Sequence, residues 1–205
     1  MMPINKRLKR ELKKNFAKYF FIGLVLFMGI TIISAFFTAT DGIMSTIESQ
    51  QSDCNIEDAN VTLVSRLSDD NISRLHEIGI NDLEDTSYCD VTALDDSDYT
   101  MRVFRVRDSV DKLSLIEGEL PANDKQIVLE SKTASAKDLS VGDEIDVDGK
   151  NYTLSGIVAV VDYNNVLQTV SSGVSNLKTF GLGFVSKQAF DGLDSAKLTI
   201  QYSLT

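Results

Sequence analysis

The sequence predicts an α+β protein carried on one membrane-spanning helix. Three observations lead there. A single 20-residue stretch, Phe20 to Ala39, has no charge. Beyond it, short β-branched runs alternate with short capped helices. No long regular βαβ repeat, the pattern that builds a parallel sheet, occurs anywhere.

Residues 4–18 come first. Leu8, Leu12, Phe16 and Tyr19 recur at spacings of 4, 4 and 3, with Lys6, Arg7, Lys9, Arg10, Lys13, Lys14 and Lys18 between and around them. That spacing predicts a helix with one apolar stripe, lying flat on the inner leaflet. The alternative is that it runs straight on into the span. The charge-free stretch follows, and at about 1.5 Å per residue it is about 30 Å long, the thickness of a bilayer's hydrocarbon core. Seven Lys/Arg against Glu11 precede it, whereas Asp41, Glu48, Asp53, Glu57 and Asp58 follow. The positive-inside bias therefore places the N-terminus in the cytoplasm, the chain in the cell membrane and everything after Thr40 outside. The expected division is a basic interfacial helix over 1–19, a span over 20–40 and an extracytoplasmic domain over 41–205. A cleaved secretory signal competes, with Thr38-Ala39-Thr40 as a small-residue cleavage site. Signal peptides, however, have apolar cores of about 7 to 15 residues. Within the span Thr31, Ala35 and Ala39 repeat every four residues, with Ser34 and Thr38 beside them. Small side chains on one face let a second helix approach closely in lipid, so these residues are the expected helix-packing face.

Beyond the membrane, residues 43–58 are expected to continue as helix and Asn60 to Ser65 to form a first strand. Ser68 is an N-cap, Asp69 and Asp70 fill the first turn, Ile72, Leu75 and Ile78 share one face, and Gly79 closes the helix. Tyr88 to Leu94 and Tyr99 to Val106 read as strands around the acidic turn Asp95 to Asp98, the second as a half-buried edge. Gln126 to Glu130 is a strand and 131–138 a short helix. Glu144 to Val147 alternates into Asp148-Gly149, a two-residue hairpin turn, and Tyr152 to Val161 pairs back on it. After a looser segment from Asp162 to Asn176, a strand ends at 183–186. Ser186 then caps a helix over 187–193, and Leu198, Ile200, Tyr202 and Leu204 alternate as a last strand.

Charge divides at the membrane. Beyond Thr40 stand 13 Lys/Arg and 29 Asp/Glu, a net of −16, which argues against nucleic acid as a partner and suits solubility outside a cell. The basic lead suits anionic lipid headgroups, at about 1 kcal/mol per Lys or Arg. Cys54 and Cys89 both fall on the outer side, where a disulfide could persist, and spacing alone leaves their pairing open. The sole histidine, His76, sits on a polar helix without a Cys-x-x-Cys elsewhere, so zinc has nothing to bind. Asp95, Asp96 and Asp98 lack the twelve-residue calcium loop with its central Gly and closing Glu, which makes them a solvated turn. Neither GxxxxGK[ST] nor GxSxG occurs. No catalytic, cofactor-binding or metal residues are expected, and no cofactor.

From Leu115 onward runs LIEGELPANDKQIVLESKTASAKDLSVGDEIDVDGKNYTLSGIV. Its recurring parts are the turn Glu117-Gly118-Glu119-Leu120-Pro121, a Val/Leu strand, a small-residue helix, LSVGDEIDVDG from Leu139 to Gly149, and a strand from Tyr152 to Val158. This string resembles the extracytoplasmic core domain of MacB/FtsX-like ABC transporter permeases. The basic LKRELKKNFAKYF lead and LSDDNISRLHEIGI are similar to large permeases of Gram-positive bacteria. The resemblance implies a mixed α+β domain of the MacB periplasmic-core type with a non-catalytic role, relaying ATP-driven motion across the membrane in export, lipoprotein or peptide handling, or signalling. It also implies a separate ABC ATPase subunit and a second permease copy as partners. It makes Gly118, Pro121, Gly142, Asp143, Gly149 and Gly156 scaffold positions: Gly142-Asp143 as a turn, Gly118 with Pro121 as a tight bend, Gly156 as a close approach of backbones. Family members return to the membrane with at least three further spans, whereas this sequence stops at Leu204-Thr205, so the resemblance implies a fragment or a truncated product. The alternative function is a single-span surface protein whose acidic domain binds a ligand or protein partner.

Overall fold

The computed structural model describes residues 3–80, 82–163, 166–168, 173–193 and 197–205. The chain divides into two units, residues 1–49 and 50–205. Parts of the expected loose segment, 164–165 and 169–172, lie outside the described residues.

The first unit is helical. Helix α1, Pro3–Lys14, ends at a turn residue, Asn15, and α2 runs Phe16–Cys54. The expected single helix over 4–18 is thus two. The break is slight: the Asn15 N–H still donates to Glu11 O at 3.0 Å, and the Tyr19 N–H to Asn15 O at 3.2 Å. Of the predicted stripe, Leu12, Phe16 and Tyr19 are exposed, and the Leu8 side chain lies outside those described. The 30 residues Phe16–Ser45 are long and apolar enough to cross a bilayer, with none of the apolar window buried inside the protein. Thr31, Thr38 and Thr40 donate their hydroxyls to the carbonyls of Phe27, Ser34 and Phe36 at 2.8–3.0 Å. These hydroxyls are satisfied within the helix, as a lipid environment would require. Asn55, at φ 51°, stops α2 at Cys54, four residues short of the expected limit at 58.

The second unit is a mixed sheet with short helices. Its strands are β1 Ala59–Leu63, β2 Leu83–Asp85, β3 Tyr88–Ala93, β4 Asp96–Arg105, β5 Ser114–Gly118, β6 Gln126–Glu130, β7 Glu144–Val147, β8 Lys150–Ala159, β9 Phe180–Val185 and β10 Leu198–Leu204. Helix α3, Asp69–Glu77, follows β1; α4, Ser131–Ala136, follows β6; and α5, Lys187–Asp191, follows β9. The order across the sheet is β1-β10-β3-β4-β9-β6-β8-β5, with β2 beside β10 and β7 bridging β3 and β8. Two pairs, β4·β9 and β6·β8, are parallel.

Caps fall where side-chain chemistry puts them. Ser68 and Ser186 accept from the N–H groups of Asn71 and Ala189, and Glu130 caps α4 by accepting from Thr133 N–H. Asp148 (φ 55°) and Gly149 (φ 74°) form the predicted hairpin turn between β7 and β8. A second tight turn departs from expectation. Leu94 and Asp95, both at positive φ, make the β3–β4 reversal, so β4 begins at Asp96 and absorbs most of the predicted acidic turn. Strands β2 and β5 were not expected, since one is three residues long and the other reads as part of a turn.

The expectation for β4 is also corrected: it lies between β3 and β9, not at an edge. Both its faces are covered. Tyr99, Met101 and Val103 join Ile127, Leu129, Phe190 and others in one apolar cluster, while Phe104 joins Val128, Phe180, Leu182 and Phe184 in another. Each such side chain contributes about 1.5–3 kcal/mol when fully buried. Arg102, the residue that makes β4 read as half-exposed, is buried because Asp90 on β3 holds it. Cys54 and Cys89 are both buried, and no disulfide joins them.

Candidate functional site

A polar cavity of about 530 Å³ opens on the Phe104 face of the sheet. Asn60 and Thr62 of β1, Gln201 and Ser203 of β10, Tyr88 of β3 and Arg102 of β4 line it, closed by Arg107, Asp162 and Tyr163. Strand alternation puts these polar side chains together, because Arg102 and Phe104 share a face of β4, and Asn60 and Thr62 share one of β1.

Two buried guanidiniums dominate the site. Arg102 forms a two-pronged pair with Asp90, Nε to Oδ1 at 2.7 Å and Nη2 to Oδ2 at 2.8 Å. It also donates to Tyr163 Oη and Gln168 O, and lies 4.0 Å over the Tyr88 ring. Arg107 donates from Nη1 to Asp162 Oδ2 at 2.9 Å and lies over the Phe104 and Phe184 rings. Asp111, completely buried, stands 3.9 Å from the same Nη1. One arginine therefore faces two carboxylates, Asp111 fully buried and Asp162 partly so. Arg107 Nε, Asp111 Oδ2 and Asp162 Oδ1 find no hydrogen-bond partner among the described residues.

The same loop clamps the end of α2. The Asp111 N–H donates to Asn55 O at 2.9 Å, the Lys112 N–H to Cys54 O at 2.8 Å, and the Glu57 N–H to Asp111 Oδ1 at 3.0 Å. Asn55 Nδ2 donates to Ser109 O at 2.9 Å. From the other side, Glu84 of β2 accepts from Arg105 Nη2 and from the Ser109 N–H and Oγ–H, each at 2.8 Å, and from the Asp108 N–H at 3.2 Å. Burial would raise the Glu84 pKa, but the Ser109 and Arg105 donors outweigh it and hold it below the ordinary carboxylate value. Glu84→Gln should destabilise the domain by about 2–3 kcal/mol, because it loses a charge-assisted pair and turns an amide N–H₂ toward donors. Chemical denaturation of the two proteins at neutral pH checks this.

Asp111 responds oppositely. Burial pushes its carboxyl up to about 6, and the neighbouring Asp162 and Glu57 charges add to this, while the Glu57 N–H and Arg107 oppose it. Asp162 shifts the same way, again by burial first. Between pH 4 and 6 the folded domain then holds a proton that the unfolded chain releases. Stability from Asp111 falls as pH rises through that window, and the loss is complete above about 6. Asp111→Asn should abolish the effect, so its stability relative to the native chain should improve by up to about 3 kcal/mol between pH 4 and pH 7. Urea midpoints across that range give the answer.

The expected site residues fall elsewhere. Thr31, Ala35 and Ala39 lie exposed on α2. Gly118 and Gly156 are brought directly opposite one another where β5 pairs with β8. The Gly142 N–H donates to Leu154 O on β8, Asp143 Oδ2 accepts from the Ser140 N–H to close its turn, and Pro121 follows β5. Gly149 sits at the far end of the β7–β8 hairpin. These residues frame β8 and do not border the cavity. Sequence reasoning missed Glu84, Arg102, Arg107, Asp111 and Asp162. A faint signal exists in Met101 to Arg107 (MRVFRVR), where arginines interrupt an apolar strand, but of their acidic partners only Asp111 is near in the chain, and Asp90, Glu84, Asp85 and Asp162 are remote. Among the described residues the arrangement offers paired charges and hydroxyls and no nucleophile with a positioned base. Both guanidiniums are already neutralised, so the cavity is not an anion hole.

No protein-family model and no curated protein matches this chain. Among solved structures, it is similar to the extracellular domain of the noncanonic ABC-type transporter YknZ from Gram-positive bacteria, with 11% identity, TM-score 0.43, and coverage of 72% of this chain and 83% of that one. It is also similar to the periplasmic region of MacB from Actinobacillus actinomycetemcomitans, with 10% identity, TM-score 0.39, and coverage of 73% and 75%. At these values the likeness assigns neither activity nor partner to the present chain.

Proposed function

We propose that the chain is the N-terminal part of a MacB/FtsX-like ABC transporter permease subunit. Its first helix spans the cell membrane with the basic lead in the cytoplasm, and residues 41–205 form a non-catalytic outer domain. The observation that carries this reading is the 30-residue apolar helix, exposed throughout, directly behind a basic lead. The string from Leu115 supports it, since turn, strand, small helix and hairpin follow in the motif's order as β5, β6, α4 and β7–β8. In this reading Thr31, Ala35 and Ala39 pack against further spans, Lys and Arg of α1 meet anionic lipid, and a separate ATPase and a second permease copy complete the assembly. The outer domain relays ATP-driven motion in export, lipoprotein or peptide handling, or signalling.

The test is reconstitution in lipid of the complete permease that contains this segment with its host's ABC ATPase. The reading requires association and stimulated ATP hydrolysis; absence of both overturns it. The open polar cavity beside Arg102 favours a second reading, a single-span surface protein that binds a small polar ligand. Further apolar spans encoded after Thr205 would exclude that one.

A further inference from the structure

The sheet ends on two unlike edges. At one end β5 is guarded: its register to β8 shifts between Leu115 and Glu117, and Glu117, Glu119 and Pro121 stand on or just after it. Bulges, charges and proline are the devices that keep an edge from pairing with another chain. The three residues of β2 likewise include Glu84 and Asp85. Strand β1 has no such device within its own span, and its charges lie only at its two ends. Ala59–Leu63 carries no charge or proline, its register to β10 runs unbroken from Ala59↔Leu204 to Leu63↔Ile200, and four of its five residues are exposed. Among the described residues, no strand but β10 pairs with it. Alternate residues of an antiparallel strand turn their N–H and C=O groups away from the partner. β1 therefore offers a row of unpaired backbone groups, with Val61 at its centre and 43% exposed.

We propose that β1 is the docking edge for a second copy of this chain, joined antiparallel about a two-fold axis at Val61. Charge selects both occupant and direction. Glu57 and Asp58 precede the strand and Arg66 follows it, with the Arg66 side chain 48% exposed even while paired to Asp85. Parallel pairing would lay acid against acid. Antiparallel pairing brings Glu57 and Asp58 of each copy toward Arg66 of the other, and opposite charges across strands are favourable. With β5 guarded, the association closes at two copies and does not extend into a fibre. The second copy is shared with the permease reading and the inference adds the edge at which the copies meet, so pairing at another surface sinks the inference and leaves that reading standing.

The decisive experiment uses the full-length native chain in detergent, with hydrogen exchange followed in dilute and in concentrated solution. Concentration should slow exchange over residues 59–65 by about tenfold, while residues 114–118 of β5 stay unchanged. Equal rates in the two solutions overturn the proposal. Cross-linking gives a second reading. Val61→Cys would sit on the axis and should form a covalent dimer on oxidation, whereas the native chain and Leu115→Cys should not. Adding Arg66→Glu should lower the yield and adding Asp58→Arg as well should restore it. A dimer by mass with Val61→Cys cross-linking no better than Leu115→Cys means that the copies meet elsewhere, and sinks the assignment.

Discussion

Gly118→Ala should cost the second unit about 3–5 kcal/mol, a large share of the stability of any single domain. Two penalties combine. Gly118 has φ +76°, a conformation that strains an alanine by about 1–3 kcal/mol. Its new Cβ would also sit 2.2 Å from Ser155 O and 2.8 Å from Gly156 Cα. Both are backbone atoms of β8, so neither can swing aside as a side chain would. Relief comes only by parting β5 from β8, and a parted pair loses ladder hydrogen bonds. Gly142→Ala is the matched control: its φ is +102°, but nothing lies within 4 Å of the added Cβ, so the loss should be about 1–2 kcal/mol. Urea denaturation of both variants and the native chain at one pH separates these outcomes. Equal losses would mean that strain alone, not the close approach of β5 and β8, makes the motif glycines necessary.

Arg107→Ala should be comparably severe, at about 3–5 kcal/mol near neutral pH, because it strands the buried Asp111 and the partly buried Asp162 without their cation. Asp162 loses its 2.9 Å pair and Asp111 its nearest positive charge. The guanidinium's contacts with the Phe104 and Phe184 rings go as well. The cost must be pH-dependent. Without Arg107 the carboxyls bind protons more readily in the folded state, so the penalty should shrink as pH falls from 7 toward 4. Replacing Arg107 and Asp162 together by leucine should recover only the share of the loss that comes from Asp162, since an ion pair exchanged for apolar groups of similar size is often close to neutral, while Asp111 stays without its cation. A penalty that stayed constant from pH 4 to 7 would show that lost packing, not lost charge balance, explains the variant.

Local chemistry was legible in the sequence, and long-range pairing was not. The apolar N-terminal helix, the Ser68 and Ser186 caps, the Asp148-Gly149 hairpin and strands β6 to β10 could be read because each depends on residues within a few positions. β4 was misread as an edge because Arg102 looks solvated until Asp90, twelve residues away, is placed beside it. β2 escaped because Leu83–Asp85 has no period to detect; what fixes it is Glu84 reaching the 105–109 turn. The Arg107 network combines Glu57, Asp111 and Asp162 from three separate connections, and no spacing rule links them. Gly118 and Gly156 stand out in the sequence one by one, yet nothing in their spacing pairs them, and it is the β5–β8 register that sets them opposite each other.

The placement of the outer domain underlies the proposed function, and accessibility in intact cells tests it most directly. Glu77→Cys puts a thiol on the exposed surface of α3, and Lys13→Cys puts one at the end of α1. A membrane-impermeant maleimide should label the first in intact cells and the second only after lysis, with both proteins remaining in the membrane fraction. Glu77→Cys shielded in intact cells, or the domain recovered free in the medium, would contradict the account.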